Sequence, residues 1–334
     1  MAPGGSGQVL KPALRALCVL LLLGAGCAPV TMPAGPATTA PGLDGNAFTM
    51  ADGARLPFRA WLPAGAPRAI LLGVHGFGDY SVNYLDIPAP LFTSQGVALY
   101  AYDQRGFGAA PHRGYWPGSE TLVGDAIQVA RLLRARHPGV PLYLLGESMG
   151  VAVLLVAATS AEPPPVEGYV LLAPAVRGRA SMGPVLRWLL EAAGNTIPAF
   201  WFDNAAPGIR PTDNVEAMRR WSRDPLTTKQ IRVDAVYGLV GLMDQAVAAL
   251  PRFSARALVL HGGRDDLVPD STLRGTLHAL PTSARVGFYP NGFHLLLRDQ
   301  ERAKVATDIL AWMQDPGAPL PRGADRLRRE ENTP

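Results

Sequence analysis

Cysteine is almost absent from this chain of 334 residues: only Cys18 and Cys27 occur, both near the N-terminus. Everything after residue 27 can therefore form no internal disulfide, even in an oxidising compartment. Charge is also scarce, at 17% of residues, whereas 48% are hydrophobic. That balance excludes wholesale disorder and suffices to bury one sizeable core plus a smaller appended layer. Neither sign of charge dominates, with 31 Lys+Arg against 27 Asp+Glu, a net +4. The small excess forms no basic stripe, which argues against nucleic acid as a partner. The apolar run at residues 16–23, preceded by Lys11 and Arg15, is too short to span a bilayer. It reads as the core of a signal peptide over residues 1–26. Internal repeats are lacking as well.

The leader ends in Leu23-Gly24-Ala25-Gly26-Cys27, which resembles a bacterial lipobox, with Gly24 where an aliphatic residue is usual. The resemblance implies that Cys27 receives a diacylglyceryl thioether and becomes the first residue after cleavage. The alternative is an ordinary secretory signal cut after a small residue. Residues 28–45, rich in Pro, Ala, Gly and Thr, read as a flexible tether between the lipid and the folded body. Ala28 follows the Cys, not the Asp that resembles an inner-membrane retention signal. The expected location is thus the outer membrane of a Gram-negative cell, with the protein lipid-anchored and facing the periplasm.

From residue 48 onward, strand-like and helix-like segments alternate, the pattern of an α/β fold with a mostly parallel sheet. Residues 48–61 read as a hairpin turning at Asp52-Gly53. Residues 69–74 and 97–102 are continuous apolar runs, as expected of strands buried on both faces. Further strands are expected at 142–145, 169–172, 257–260 and 285–289, with helices at 121–136, 151–159 and 302–313. Between residues 176 and 250 the pattern is helical with no good strand, and Val185, Leu186, Trp188, Leu189, Phe200 and Trp201 cluster there. This stretch reads as a helical cap inserted between a first core part, 46–175, and a second, 251–315, with a disordered tail at 316–334.

Gly146-Glu147-Ser148-Met149-Gly150 is a G-x-S-x-G element between an expected strand and helix, the context in which this motif presents a nucleophile. A serine hydroxyl needs a base. Of the six histidines, His294 lies after the last expected strand, where such a base falls in the order Ser, acid, His. His75 and His261 each begin a His-Gly pair at a strand end and read as turn-shaping. The loop His261-Gly262-Gly263-Arg264-Asp265-Asp266 offers two acids, of which Asp265 is chosen over Asp266. The oxyanion donors should be the N–H groups of Met149, the residue after the nucleophile, and Phe77, in the turn following the strand at 69–74.

Together these elements resemble the monoacylglycerol lipase and lysophospholipase branch of the α/β-hydrolases, also called the serine aminopeptidase-like family. The similarity rests on residues 75–84 (H-G-x-G-x-x-S-x-x-Y), Asp103-Gln104-Arg105-Gly106-Phe107-Gly108, the Ser148 elbow, and Asp265 with Pro269. Ala109 and Ala110 stand where the family usually has Ser. The resemblance implies an α/β-hydrolase with a helical cap and a Ser148, Asp265, His294 triad. It further implies hydrolysis of carboxylic esters, of a monoacylglycerol or lysophospholipid, with no metal or organic cofactor. Trp188, Leu189, Phe200 and Trp201 are the expected acyl-chain contacts. Alternatives on the same scaffold are a short-chain esterase or a peptidase, the latter needing an acidic patch that Glu191, Asp203 or Glu216 could supply. A non-enzymatic binding lipoprotein is a further alternative, disfavoured by the intact triad.

Overall fold

The computed structural model describes residues 28–203, 208–268 and 270–325. The expected signal peptide, Cys27 and Pro269 lie outside them. In chain order the strands are β1 (Gly42–Asp44), β2 (Ala47–Thr49), β3 (Arg55–Trp61), β4 (Ala69–Val74), β5 (Val97–Tyr102), β6 (Leu142–Glu147), β7 (Gly168–Leu172), β8 (Trp201–Asp203), β9 (Gln230–Arg232), β10 (Ala257–Gly262) and β11 (Arg285–Tyr289). The helices are α1 (Ser81–Leu85), α2 (Ala89–Thr93), α3 (Ser119–Arg136), α4 (Met149–Ala158), α5 (Pro184–Thr196), α6 (Val215–Arg223), α7 (Val233–Ala249), α8 (Asp270–Ala279) and α9 (Arg302–Gln314).

Every residue of β4, β5, β6, β7 and β10 is buried, which is why these segments are apolar without alternation. They form the centre of a sheet ordered β1-β2-β3-β5-β4-β6-β7-β10-β11. The pairs from β5 through β11 are parallel, while β1, β2 and β3 join antiparallel at one edge. One face packs α3, α4 and α7 through Leu122, Val129, Val151, Leu155 and Leu242. The other packs α1, α2 and α9 through Tyr84, Phe92, Ile309 and Trp312. Each fully buried Leu of the central strands contributes about 2 kcal/mol relative to exposure. After β4 the chain moves to one side, to β5, and then returns to the other, to β6. The carboxyl ends of β4 and β6 thus flank a topological switch point, where open α/β sheets bind ligands.

Four expectations need correction. Residues 28–45 are not a free tether. Met32 N–H donates to Trp116 O (2.8 Å), Ala34 N–H to Thr121 Oγ1 (3.0 Å) and Thr38 N–H to Ala51 O (2.7 Å), and β1 extends the sheet. Proline and glycine suit an extended strap as well as a flexible one. The inserted stretch is not purely helical, since β8 and β9 pair antiparallel. Nor is all of it cap: α7 buries Ala235, Leu242, Ala246 and Ala249 in the main core beside α4. The helix Val233–Arg252 is long and apolar enough to cross a membrane, and this packing accounts for its composition. Finally, residues 316–325 are docked, with Leu320 and Ala324 buried and Phe288 N–H donating to Ala324 O (2.8 Å). Residues 326–334 of the expected tail lie outside the described residues.

Candidate active site

β6 ends at Glu147 and α4 begins at Met149, leaving Ser148 alone to turn the chain. It does so with φ 55° and ψ −114°, a conformation that non-glycine residues rarely hold. The flanking glycines make the turn possible. A Cβ on Gly150 would lie 2.0 Å from Val74 O, and one on Gly146 would lie 2.8 Å from the Gly150 carbonyl carbon. Ser148 N–H donates to Leu172 O at 3.0 Å, tying the turn to β7. The side chain therefore stands at the sheet's carboxyl edge and at the N-terminus of α4, where the helix dipole favours developing negative charge.

The turn after β4 lies against it. A Cβ on Gly76 would sit 3.4 Å from Ser148 Cβ and 4.0 Å from Oγ. Gly78, with φ 78°, lets Asp79 N–H close the turn on Gly76 O at 3.3 Å. Phe77 in this turn packs its ring edge-on against Phe107 at 5.3 Å. His75 is fully buried, its Nδ1 donating to Gly76 O (2.8 Å) and its Nε2 accepting from Gln104 N–H (3.1 Å). Burial holds its pKa below the ordinary imidazole value, favouring the neutral form that this bonding pattern needs. Asp103 Oδ1 accepts from Ser81 N–H and Oγ–H, and Oδ2 accepts from Ala109 N–H at 2.8 Å.

His294 follows β11 and is buried. Its Nδ1 donates to Asp265 Oδ2 at 2.8 Å. The other oxygen, Oδ1, accepts from Leu267 N–H (2.8 Å) and Val268 N–H (3.0 Å), which fixes the carboxylate. Asp266 is exposed. Of the two acids read from the sequence, Asp265 is the one brought to the histidine.

Trp188, Leu189, Phe200 and Trp201 are not gathered into an enclosed tunnel: they are 67%, 49%, 57% and 40% exposed on the cap. Trp201 leans on the body, edge-on to Tyr115 at 6.4 Å. The acids weighed for a peptidase do not converge. Glu191 is taken up by Arg179 (2.7 Å) and Tyr237 (2.9 Å), Asp203 is exposed, and the Glu216 side chain is 81% exposed. Sequence reasoning passed over Asp79, Glu147 and Arg298, three buried charges in contact beneath the site. A signal was present: an acid within the G-x-S-x-G element, at the end of a wholly buried strand, requires a partner.

Comparison with known proteins finds relatives that share the fold. Residues 65–301, more than half the chain, match the family described as serine aminopeptidase, S33. A monoacylglycerol lipase of Mycolicibacterium smegmatis is 27% identical, covering 80% of this chain and 96% of that protein. The human monoglyceride lipase is 27% identical over 75% of this chain and 82% of its own length. Among solved structures, the monoacylglycerol lipase of Paleococcus ferrophilus superposes with a TM-score of 0.65 at 21% identity, covering 77% of this chain and 98% of that one.

Proposed function

Because the chain belongs to the serine aminopeptidase S33 family of α/β-hydrolases, we propose that it hydrolyses carboxylic esters of lipid-like substrates, monoacylglycerols above all, through an acyl-enzyme on Ser148. The observation that carries this reading is the pairing of His294 with Asp265 on the loops that follow β11 and β10, at the same carboxyl edge of the sheet as a serine held on a strained elbow after β6. In this mechanism His294 Nε2 takes the Ser148 proton as Oγ attacks the ester carbonyl. Asp265 holds the ring with Nδ1 protonated and stabilises the imidazolium that forms. The tetrahedral oxyanion is held by the N–H groups of Met149 and Phe77. His294 then protonates the departing alcohol, and water activated by the same ring releases the acid. The open apolar surface of the cap and the similarity to proteins named monoacylglycerol lipase favour a lipid ester over a peptide. So does the scatter of Glu191, Asp203 and Glu216, which do not form an acidic patch for a substrate amine. A fluorophosphonate probe should label Ser148, and Ser148→Ala should lower monoacylglycerol hydrolysis by about a millionfold with the fold retained. An unlabelled Ser148, or aminopeptidase turnover exceeding ester turnover, would sink the assignment.

We further propose that the protein is exported and anchored by lipid on Cys27, in the outer membrane with the enzyme facing the periplasm. The support is the lipobox-like leader together with the start of the body. Val30 N–H donates to Asp234 Oδ2 at 3.3 Å, at the beginning of α7. The three residue steps from Cys27 to Val30 reach at most about 10 Å. A lipid there would hold the body close to the bilayer at the base of the cap, a tighter attachment than a free tether of residues 28–45 would give. Mass spectrometry of the N-terminal peptide should find diacylglycerol on Cys27. A free N-terminus at Ala28 or beyond would refute the anchor and leave the hydrolase reading intact.

A further inference from the structure

Arg298 lies four residues after His294, in the segment between β11 and α9, and is only 3% exposed. Its guanidinium reaches two other loops of the site. One arm donates to Asp79 Oδ2 at 2.6 Å, the other to Glu147 Oε1. Asp79 closes the turn that carries Phe77, and its Oδ1 also accepts from Tyr80 N–H (2.9 Å) and Asn83 Nδ2 (2.7 Å). Glu147 immediately precedes Ser148 and is fully buried, its Oε2 without a hydrogen-bond partner among the described residues. On the far side of the Phe77 turn the cap takes hold. Thr228 N–H donates to Gly78 O at 2.9 Å, and Tyr80 Oη–H to Asp224 Oδ2 at 2.5 Å.

Two carboxylates share one cation in a region closed to water. A core needing only stability would do as well with apolar residues of the same volume, because desolvation offsets most of the attraction between buried charges. What one forked cation supplies is geometry. It presents donors in fixed directions to the Phe77 turn and to the residue before the nucleophile. Its own backbone carries the base segment, where Asp299 Oδ2 accepts from Phe293 N–H at 2.8 Å.

We propose that Arg298 is a positioning residue for the hydrolytic reaction: it locks the Phe77 turn, the Ser148 elbow and the His294 segment into one register, setting the oxyanion donor against the nucleophile. This rests on the hydrolase reading above, and the experiment separates the two. Arg298→Lys keeps the charge but has no planar fork, so it holds one carboxylate and releases the other. The double variant Arg298→Met/Glu147→Gln removes the tether together with the Glu147 charge, while Asp79 keeps its bonds from Tyr80 N–H and Asn83 Nδ2. Both are compared with the parent enzyme by thermal midpoint and by kcat and KM per fluorophosphonate-titrated site. The expected result is that kcat of Arg298→Lys falls about 100-fold with KM nearly unchanged, as displacement of a positioning contact by about 1 Å would give. The double variant should recover part of the midpoint lost by Arg298→Met alone, the part due to the uncompensated Glu147 charge, yet keep the low kcat. If kcat per titrated site in either variant stays within about threefold of the parent, Arg298 only neutralises charge and the proposal falls. If the parent itself neither labels nor turns over ester, the hydrolase reading has failed instead.

Discussion

Ser148 pays locally for its exposure on the elbow: a residue held at φ 55° costs on the order of 1–3 kcal/mol, sustained only by an environment that allows no alternative. Here that environment is the pair of glycines with no room for a methyl group and the bond from Ser148 N–H to Leu172 O. The acid is fixed by equally local means. Asp265 spends one oxygen on two backbone N–H groups and the other on His294, whereas its neighbour Asp266 points to solvent. The two substitutions should therefore part company. Asp265→Asn should lower kcat by about four orders of magnitude, because an amide presents the wrong partner to the histidine Nδ1. Asp266→Asn should leave kcat within about twofold, as most exposed substitutions do. Steady-state kinetics of the two purified variants on one soluble ester decides the matter. A severe loss in Asp266→Asn with a mild one in Asp265→Asn would overturn the assignment.

At the scale of elements, the apolar face of the cap separates two roles. α5 carries Val185, Leu186, Trp188 and Leu189 outward, while Arg179 clamps its inner side by bonding Glu191 and Asp244 and lying 4.6 Å from the Tyr237 ring centroid. The clamp ties the helix to α7 and leaves the outer residues exposed, and we propose that these meet the acyl chain. Trp188→Gln and Leu189→Gln should then lower kcat/KM for long-chain p-nitrophenyl esters far more than for the acetate, since each lost methylene contact is worth up to about 0.8 kcal/mol. Equal losses across the series would show that these residues only hold the cap. The same elements show what the sequence could convey. The central strands and the elbow were legible because a doubly buried strand must be apolar throughout and a strained serine needs glycine on both sides. The assignment of α7 to the core was not, since an apolar face announces burial without naming its partner. β8 and β9 are three residues each, too short for a period of two to stand out. The Arg298 network escaped because its members are separated by up to 219 positions, and only the fold brings them together.

For the molecule as a whole, the strap at residues 28–45 matters more than its composition suggests. It runs from α7 past Trp116 and α3 to the β2–β3 turn, joining parts of the chain that are otherwise distant. Asp52 in that turn is one of its fastenings. One carboxylate oxygen accepts from Gly35 N–H of the strap (3.0 Å), and the pair engages Arg105 at 2.5 and 3.0 Å, with Asp125 on the guanidinium's other edge at 2.8 Å. The Arg105 hydrogen bonds hold the Asp52 pKa down to about 2. Burial pushes Asp125 up to about 6, against the pull of the same arginine. Asp52 is thus the carboxylate whose charge favours the folded state. A group with a depressed folded pKa contributes stability that is complete above its unfolded value of about 3.9 and is lost as pH falls toward the folded one. Asp125 has the opposite sign, its folded form gaining on the unfolded as pH falls below about 6. Replacing Asp52 by Asn should therefore lower the midpoint of urea unfolding at pH 7, and the gap to the parent should narrow between pH 5 and pH 3 as the parent loses this contribution. Removal of residues 28–41 should lower the midpoint at pH 7 in the same direction, because Ala34, Gly35, Thr38 and Thr39 all give up backbone bonds to the body. An unfolding midpoint unchanged by that truncation would mean that the strap merely rests on the enzyme. A gap between Asp52→Asn and the parent that held constant from pH 7 to pH 3 would mean that the Asp52 charge does not fasten it.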